Sequence, residues 1–149
     1  MIKFDVKQEN LDRHLPELID HAKGHDEILA VYLFGSYARN EAGSLSDIDI
    51  ACLIDSTKVK VNFDFELKLL SDINDLFQTD EVTLVVLNNA PLTIQYGVIS
   101  DSKLIFCRDE GKRQEFENRI VMIYLDFSYY LKEYDRELLR QLKEGEAFD

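Results

Sequence analysis

Residues 34–50 read FGSYARNEAGSLSDIDI. The segment opens on Gly35-Ser36, directly after the apolar run EILAVYLF at 27–34. It closes on Asp47-Ile48-Asp49 at the head of a second apolar run, DIDIACLI at 47–54. Both runs are short and lack polar alternation, so each predicts a strand buried on both faces. Two carboxylates at the mouth of such a strand need a reason. Side chains alternate along a strand, so Asp47 and Asp49 share a face, with their carboxylates roughly 7 Å or less apart. Like charges at that range raise each other's pKa and cost stability unless they are neutralised. A divalent cation with oxygen ligands, Mg2+ before others, is the natural neutraliser, and a nucleoside triphosphate would supply further oxygens. At the other end of the segment, Gly35 leaves room for backbone N–H groups to approach a phosphate, and Ser36 adds a hydroxyl donor. Donors at one end and metal-binding carboxylates at the other are the parts needed for phosphoryl or nucleotidyl transfer.

Outward from this segment, the chain alternates between two periodicities. Residues 8–22 (QENLDRHLPELIDHA) carry Leu11, Leu15, Leu18, Ile19 and Ala22 at helical spacing. Pro16 inside that pattern predicts a late start or a kink, and Gly24 an end. Residues 35–46 predict a turn followed by a short helical piece. Residues 62–77 are amphipathic, 81–87 (EVTLVVL) predict a third strand, and 103–107 (KLIFC) a fourth. A short helix is expected over 91–99, with Pro91 at its first position. From 109 to about 143 the composition is helical, and a break near 126–129 is expected because a single helix of that length would be unusual. These elements predict one α+β (α/β) domain over residues 1–149: a mixed sheet of about four strands flanked by helices, with 109–145 as a helical C-terminal extension.

Composition narrows the class. A chain of 149 residues with 46% hydrophobic content and two prolines suits a compact domain with its own core. The net charge of −12, with no basic run, argues against direct, unaided nucleic-acid binding. It suits a basic protein partner, or plain solubility. No apolar stretch is long enough to cross a bilayer, and MIKFDVKQENLD has no apolar signal block, so a cytoplasmic protein is expected. Cys52 and Cys107 both sit in strand-like runs and read as reduced thiols.

The combination of a strand ending in Gly35-Ser36, ten intervening residues, and Asp47-x-Asp49 opening another strand is far more specific than either part alone. The stretch LFGSYARNEAGSLSDIDIACLI resembles the minimal nucleotidyltransferase (MNT) domains of the DNA polymerase β-like superfamily, whose pattern is G-S-x10-D-x-D. Gly35, Ser36, Asp47 and Asp49 match it in full, and Arg39, Ser46 and the flanking apolar strands are similar as well. The resemblance implies a Mg2+-dependent enzyme that moves a nucleoside monophosphate from a triphosphate such as ATP to a hydroxyl. Small stand-alone members act as antitoxins that add AMP to a tyrosine of a HEPN-domain ribonuclease toxin. By that resemblance Asp47 and Asp49 hold metal, and Gly35 and Ser36 hold the triphosphate with help from Arg39 and Ser46.

One position departs from the family pattern. A third carboxylate is common on the next strand, and here the matching segment is Val82-Thr83-Leu84-Val85, with Thr83 where the acid would fall. Glu81, two residues earlier, is either a third ligand, a general base, or a surface acid at a strand end. Three readings follow: an AMP-transferring antitoxin, a non-catalytic antitoxin that works by contact, and a nucleotidyltransferase acting on a small molecule. His14, His21 and His25 read as ordinary surface histidines rather than a metal site. In the tail, Phe116, Ile120 and Tyr124 are spaced to pack the last helix on the sheet. The surplus aromatics from 127 to 134 point to contact with a partner or a second copy, as a homo- or hetero-oligomer.

Overall fold

The computed structural model describes residues 2–35, 48–79 and 82–145, with side chains in the first helix described from Leu11 onward. The elements are α1 (Ile2–Lys23), β1 (Ile28–Phe34), β2 (Ile48–Ile54), α2 (Phe63–Phe77), β3 (Val82–Val86), a 3-10 turn (Leu87–Asn89), α3 (Leu92–Ser100), β4 (Ser102–Cys107) and α4 (Glu110–Glu144). The strands form one open mixed sheet in the order β3-β2-β1-β4. β1 runs antiparallel to both β2 and β4, and β2 runs parallel to β3. The α+β architecture of four strands flanked by helices, with a helical tail, is the one the sequence predicts.

The two central strands are buried on both sides, and strand alternation divides their side chains between two cores. Val31, Leu33, Ile48, Ile50, Cys52 and Ile54 pack with Leu11, Leu18 and Ala22 of α1 and Leu69, Ile73 and Phe77 of α2. Tyr32, Ala51 and Leu53 face the other way, toward Val98 of α3 and Phe116 and Ile120 of α4. The alternation slips once, between Ile28 and Ala30, where a register shift puts Leu29 and Ala30 together in the second core. Cys52 and Cys107 are free thiols, and burial pushes the Cys52 thiol up to about 12.

Local chemistry fixes the element ends. Asn62 caps α2 by accepting from Phe65 N at 2.9 Å, and Gln78 closes it in the left-handed region with φ 54°. Arg108, just past β4, donates to Ala22 O at 2.6 Å, Lys23 O at 3.1 Å and Ile28 O at 3.1 Å. It thereby satisfies end carbonyls of α1 and places a cation at that helix's negative pole. Asn88 mimics a strand partner for Ile54: its Oδ1 accepts from Ile54 N at 2.9 Å, and its Nδ2 donates to Ile54 O at 2.8 Å.

Four expectations are corrected. Pro16 neither delays nor ends α1, which starts at Ile2 and runs through it. Pro91 is the cap residue of α3, not its first helical residue. His14 is not a surface residue: it is buried, edge-on to Phe77 at 5.9 Å between ring centroids, with its Nδ1 3.1 Å from Glu17 Oε2. Finally, 110–144 is a single 35-residue helix with no break at 126–129. Nothing in the sequence interrupts it between Gly111 and Gly145. Pairs at helical spacing support it at both ends: Arg113 with Glu110 and Glu117, and Arg140 with Glu137 at 2.6 Å and Glu144 at 2.7 Å.

One buried acid gives the fold a pH dependence. Asp55, at the end of β2, accepts from the Thr57 hydroxyl at 2.6 Å, Thr57 N at 3.0 Å and Lys112 Nζ at 3.3 Å. The Thr57 hydroxyl first, then the Thr57 N–H and Lys112, hold its carboxyl down to about 2 from an ordinary 3.8. A depressed folded-state pKa stabilises the fold fully above the unfolded value, and that stabilisation is lost as pH falls through the folded value. Denaturant melts of the wild type and of Asp55→Asn should therefore differ most above about pH 4 and converge toward about pH 2. A gap that does not change over that window would show that Asp55 is not ionised in the folded protein.

Candidate active site

Three adjacent strands converge at one pole of the sheet. In the β1–β2 pairing Phe34 lies opposite Asp49, and in the β2–β3 pairing Asp49 lies beside Thr83. On the far side of β1, Phe34 pairs with Ser102, the first residue of β4. Ile48 and Ile50 are both buried in the core beneath α1 and α2. Alternation therefore turns Asp49 to the opposite face, the one shared with Ala51 and Leu53 and covered farther along by α3 and α4. Asp49 is half-buried there, and Thr83 is exposed.

Gly35 follows Phe34 directly and is held against Asp49. Its φ is +76°, in the left-handed region that glycine adopts without strain. A Cβ built at Gly35 would overlap Asp49 Oδ2 and lie 3.0 Å from Asp49 Cγ. The Gly35 position is thus doubly restricted: the backbone turns in a way that side chains resist, and the volume a side chain would fill is taken by a carboxylate. Glycine and acid, fourteen positions apart in sequence, are in van der Waals contact.

The structure therefore brings together two of the residues predicted from sequence, Gly35 and Asp49, and sets Thr83 at the strand position beside the acid. Ser36, Arg39, Ser46 and Asp47 lie outside the described residues, as does Glu81, so the expected shared face of Asp47 and Asp49 and the helical piece within 35–46 fall outside them too. Among the described residues, no group of three or more His, Cys, Asp and Glu side chains is placed to hold a metal ion. The His21 and His25 rings lie 4.2 Å apart at a tilt of 37°, and burial first, then the neighbouring His25, pushes the His21 imidazole below its ordinary value. They lie at the C-terminal end of α1, away from the sheet pole that holds Asp49.

Sequence reasoning did not single out Tyr96. It stacks on Tyr124 with ring centroids 3.8 Å apart and planes 7° from parallel, and it packs with Phe34 into the core on the Asp49 face. The signal was weak because α3, LTIQYGVIS, is apolar nearly all round and shows no clear face. Tyr32, two residues before Phe34, is buried, and its hydroxyl has no hydrogen-bond partner among the described residues. Burial, reinforced by the Glu117 carboxylate and opposed by Arg113, drives that phenol far above its ordinary pKa. Its place is therefore in the packing behind the site.

The Gly35–Asp49 contact can be tested by stability alone. Gly35→Ala should lower stability by about 1–2 kcal/mol from the left-handed backbone, with an added cost from overlap with the carboxylate. In an Asp49→Ala background most of that overlap is gone, so the same glycine substitution should cost less. Equal costs in the two backgrounds, read by urea denaturation, would mean that the two residues do not share this space.

Comparison with solved structures agrees with this architecture. A chain from the crystal structure of a toxin–antitoxin with AMP-PNP is 18% identical, with a TM-score of 0.63, over 89% of this chain and 98% of that one. A chain from the complex of tri-AMPylated Shewanella oneidensis HEPN toxin with MNT antitoxin is 19% identical, with a TM-score of 0.62, over 89% and 98%. A chain from the toxin–antitoxin MntA–HepT is 18% identical, with a TM-score of 0.57, over 91% and 98%. At these identities the likeness is one of fold. No curated protein matches the chain. The model of the polymerase beta nucleotidyltransferase family matches residues 16–111, from α1 through β4 to the first turn of α4, and includes Gly35, Asp49 and Thr83. The chain belongs to the polymerase beta nucleotidyltransferase family.

Proposed function

We propose that this protein transfers AMP from ATP to a hydroxyl, that the acceptor is a tyrosine of a HEPN-type ribonuclease toxin, and that it serves as that toxin's antitoxin. The observation that carries the catalytic part is the contact of Gly35 with Asp49 at the pole where β1, β2 and β3 converge. A glycine without room for a side chain, set against a carboxylate, leaves backbone N–H groups free to approach a phosphate next to a metal-binding oxygen. The antitoxin part is supported by the fold likeness to chains from toxin–antitoxin structures, one described with AMP-PNP and one with a tri-AMPylated toxin.

The donor set fits Mg2+. Asp49 offers hard carboxylate oxygens at a half-buried strand end, and Asp47, two residues earlier, would supply the second carboxylate. When bound, Mg2+ would neutralise charge on the triphosphate and on the developing transition state. Gly35 and Ser36 would hold the phosphates by N–H and hydroxyl donors, with Arg39 and Ser46 assisting. The acceptor oxygen attacks the α-phosphorus in line, a new P–O bond forms, and the bond to pyrophosphate breaks. The acceptor's proton passes to a base, for which Glu81, immediately before β3, is the candidate. A phenol suits this site: its pKa near 10 is well below that of an aliphatic hydroxyl, so it needs less help to ionise.

A second reading is favoured by Thr83. It sits in register beside Asp49, where a further acid would complete a carboxylate cluster across two strands, and it offers only a hydroxyl. A protein that has lost transfer and neutralises its partner by contact would tolerate that change.

The deciding experiment incubates the protein with α-labelled ATP, Mg2+ and the product of the neighbouring gene as candidate toxin, in parallel with Asp47→Asn/Asp49→Asn. Label on the toxin with wild type, and none with the double variant at unchanged melting temperature, is the expected result. Label transferred equally by the double variant would overturn the site assignment. Absence of label with wild type, together with a stable complex, would establish neutralisation by contact.

A further inference from the structure

The sheet ends on β3, and the outer edge of that strand is open. Ile54 exchanges both of its backbone bonds with Asn88 on the β3 side, at 2.9 and 2.8 Å, while Asp55 N donates to Glu27 O on the β1 side at 2.7 Å. Backbone groups alternate along a strand, so Ile48, Ile50 and Cys52 also present theirs to β3. In a parallel ladder each of them bonds the two residues that flank its partner, and the partners are Val82, Leu84 and Val86. Thr83 and Val85 therefore turn their N–H and C=O groups toward β2, and Val82, Leu84 and Val86 turn theirs outward. Among the described residues these outward groups meet no hydrogen-bond partner. A row of open strand donors and acceptors is a template for another strand, and edges are commonly guarded by charge or proline. The opposite edge, β4, carries Lys103, whereas Val82–Val86 has neither guard.

A second feature lies along the same edge and selects the occupant. α2 connects β2 to β3, and a groove between α2 and β3 is lined by Phe63, Glu66, Leu67, Leu70, Leu84 and Val86. Phe63 is 70% exposed and Leu67 47%. A strand of unrelated sequence would satisfy the edge backbone and leave this groove bare, whereas a second copy fills both. Antiparallel pairing about Leu84 sets Val82 opposite the second copy's Val86, and Leu84 opposite its own equivalent, so the outward groups of the two edges match. Strands so paired lie about 4.8 Å apart, which puts the two α2 helices, each over its own β2–β3 pair, about 10 Å apart on one face of the joined sheet. That is an ordinary distance for packed helices. The helices run antiparallel, so the positive end of each lies beside the negative end of the other. Among the described residues Glu66 is the one charged side chain lining the groove, so little of the net charge of −12 enters the joint. With β3 about 17 Å long and α2 about 22 Å, in two layers each about 10 Å thick, the buried area is on the order of the 1,000 Å2 that a specific interface needs.

We infer that β3 is a dimerisation edge: two copies of this chain pair β3 to β3 antiparallel, joining their four-stranded sheets into one, with Phe63, Leu67 and Leu70 of the two α2 helices packed together over the joint. The inference does not rest on the catalytic reading, because it needs no chemistry at Asp49.

The test uses the full chain. Sedimentation equilibrium should show a dimer. Phe63→Lys/Leu67→Lys should weaken dimerisation at least about tenfold. Its melting temperature at low concentration should stay that of wild type, because both side chains are exposed. Leu139→Lys, on an exposed position of α4, should dimerise as wild type does. Amide hydrogen exchange reads the backbone pairing separately. The Leu84 N–H should be protected in wild type and exchange at least about tenfold faster in the double variant, whereas the Val85 N–H, bonded to β2, should be protected equally in both. A monomer at every concentration would overturn the inference. A dimer that survives Phe63→Lys/Leu67→Lys, or one whose Leu84 N–H exchanges freely, would place the contact elsewhere and overturn it as well.

Discussion

The antiparallel pairing of β1 with β2 positions the rest of this molecule. It sets Phe34 opposite Asp49, and the next residue, Gly35, turns with positive φ so that the Asp49 carboxylate fills the volume a side chain would take. The same pairing joins Tyr32 to Ala51 and Leu33 to Ile50, so the strands cannot slide by one residue without exchanging the contents of the two cores. Register is therefore protected by the whole hydrophobic interior. A glycine–carboxylate contact at the sheet end inherits that protection, although neither residue contributes much apolar burial of its own. The geometry at this pole is fixed because the central strands are buried on both faces.

The two cores divide the work. α1 and α2 cover one face of the sheet and are fastened at their ends by Arg108 and Asn62. α3 and α4 cover the other face, where Asp49 also points. β4 begins opposite Phe34 at the functional pole and ends at the far one, and α4 then runs back alongside α3 from that far end. The later turns of α4 consequently extend toward the pole that carries Gly35 and Asp49.

Much of this could be read from the chain itself. Two apolar runs too uniform for an exposed sheet predicted the buried central strands, and the spacing of Gly35, Ser36, Asp47 and Asp49 marked the functional segment. The helices expected over 62–77 and 91–99 formed at 63–77 and 92–100, legible from amphipathic spacing in the first and, to within a residue, from Pro91 in the second. Other features were not legible because they depend on long-range contacts or on an absence. Pro16 is a helix breaker by local preference, yet packing of Leu11 and Leu18 on either side holds α1 together through it. His14 looks like a surface residue until Phe77, sixty-three positions away, closes over it. The expected break in α4 came from typical helix lengths, and typical lengths cannot reveal that nothing in 112–144 interrupts the hydrogen-bond ladder.

By itself the sequence determined the alternation of strands and helices, the family pattern around Gly35 and Asp49 and the acidic net charge, because periodicity, turn chemistry and charge are local properties. Tertiary structure alone decided two further matters: that Gly35 gives its side-chain volume to Asp49, and that His14 is buried against Phe77. Each is a relation between residues distant in sequence, created by strand register and helix packing, and no local preference specifies which residues will meet.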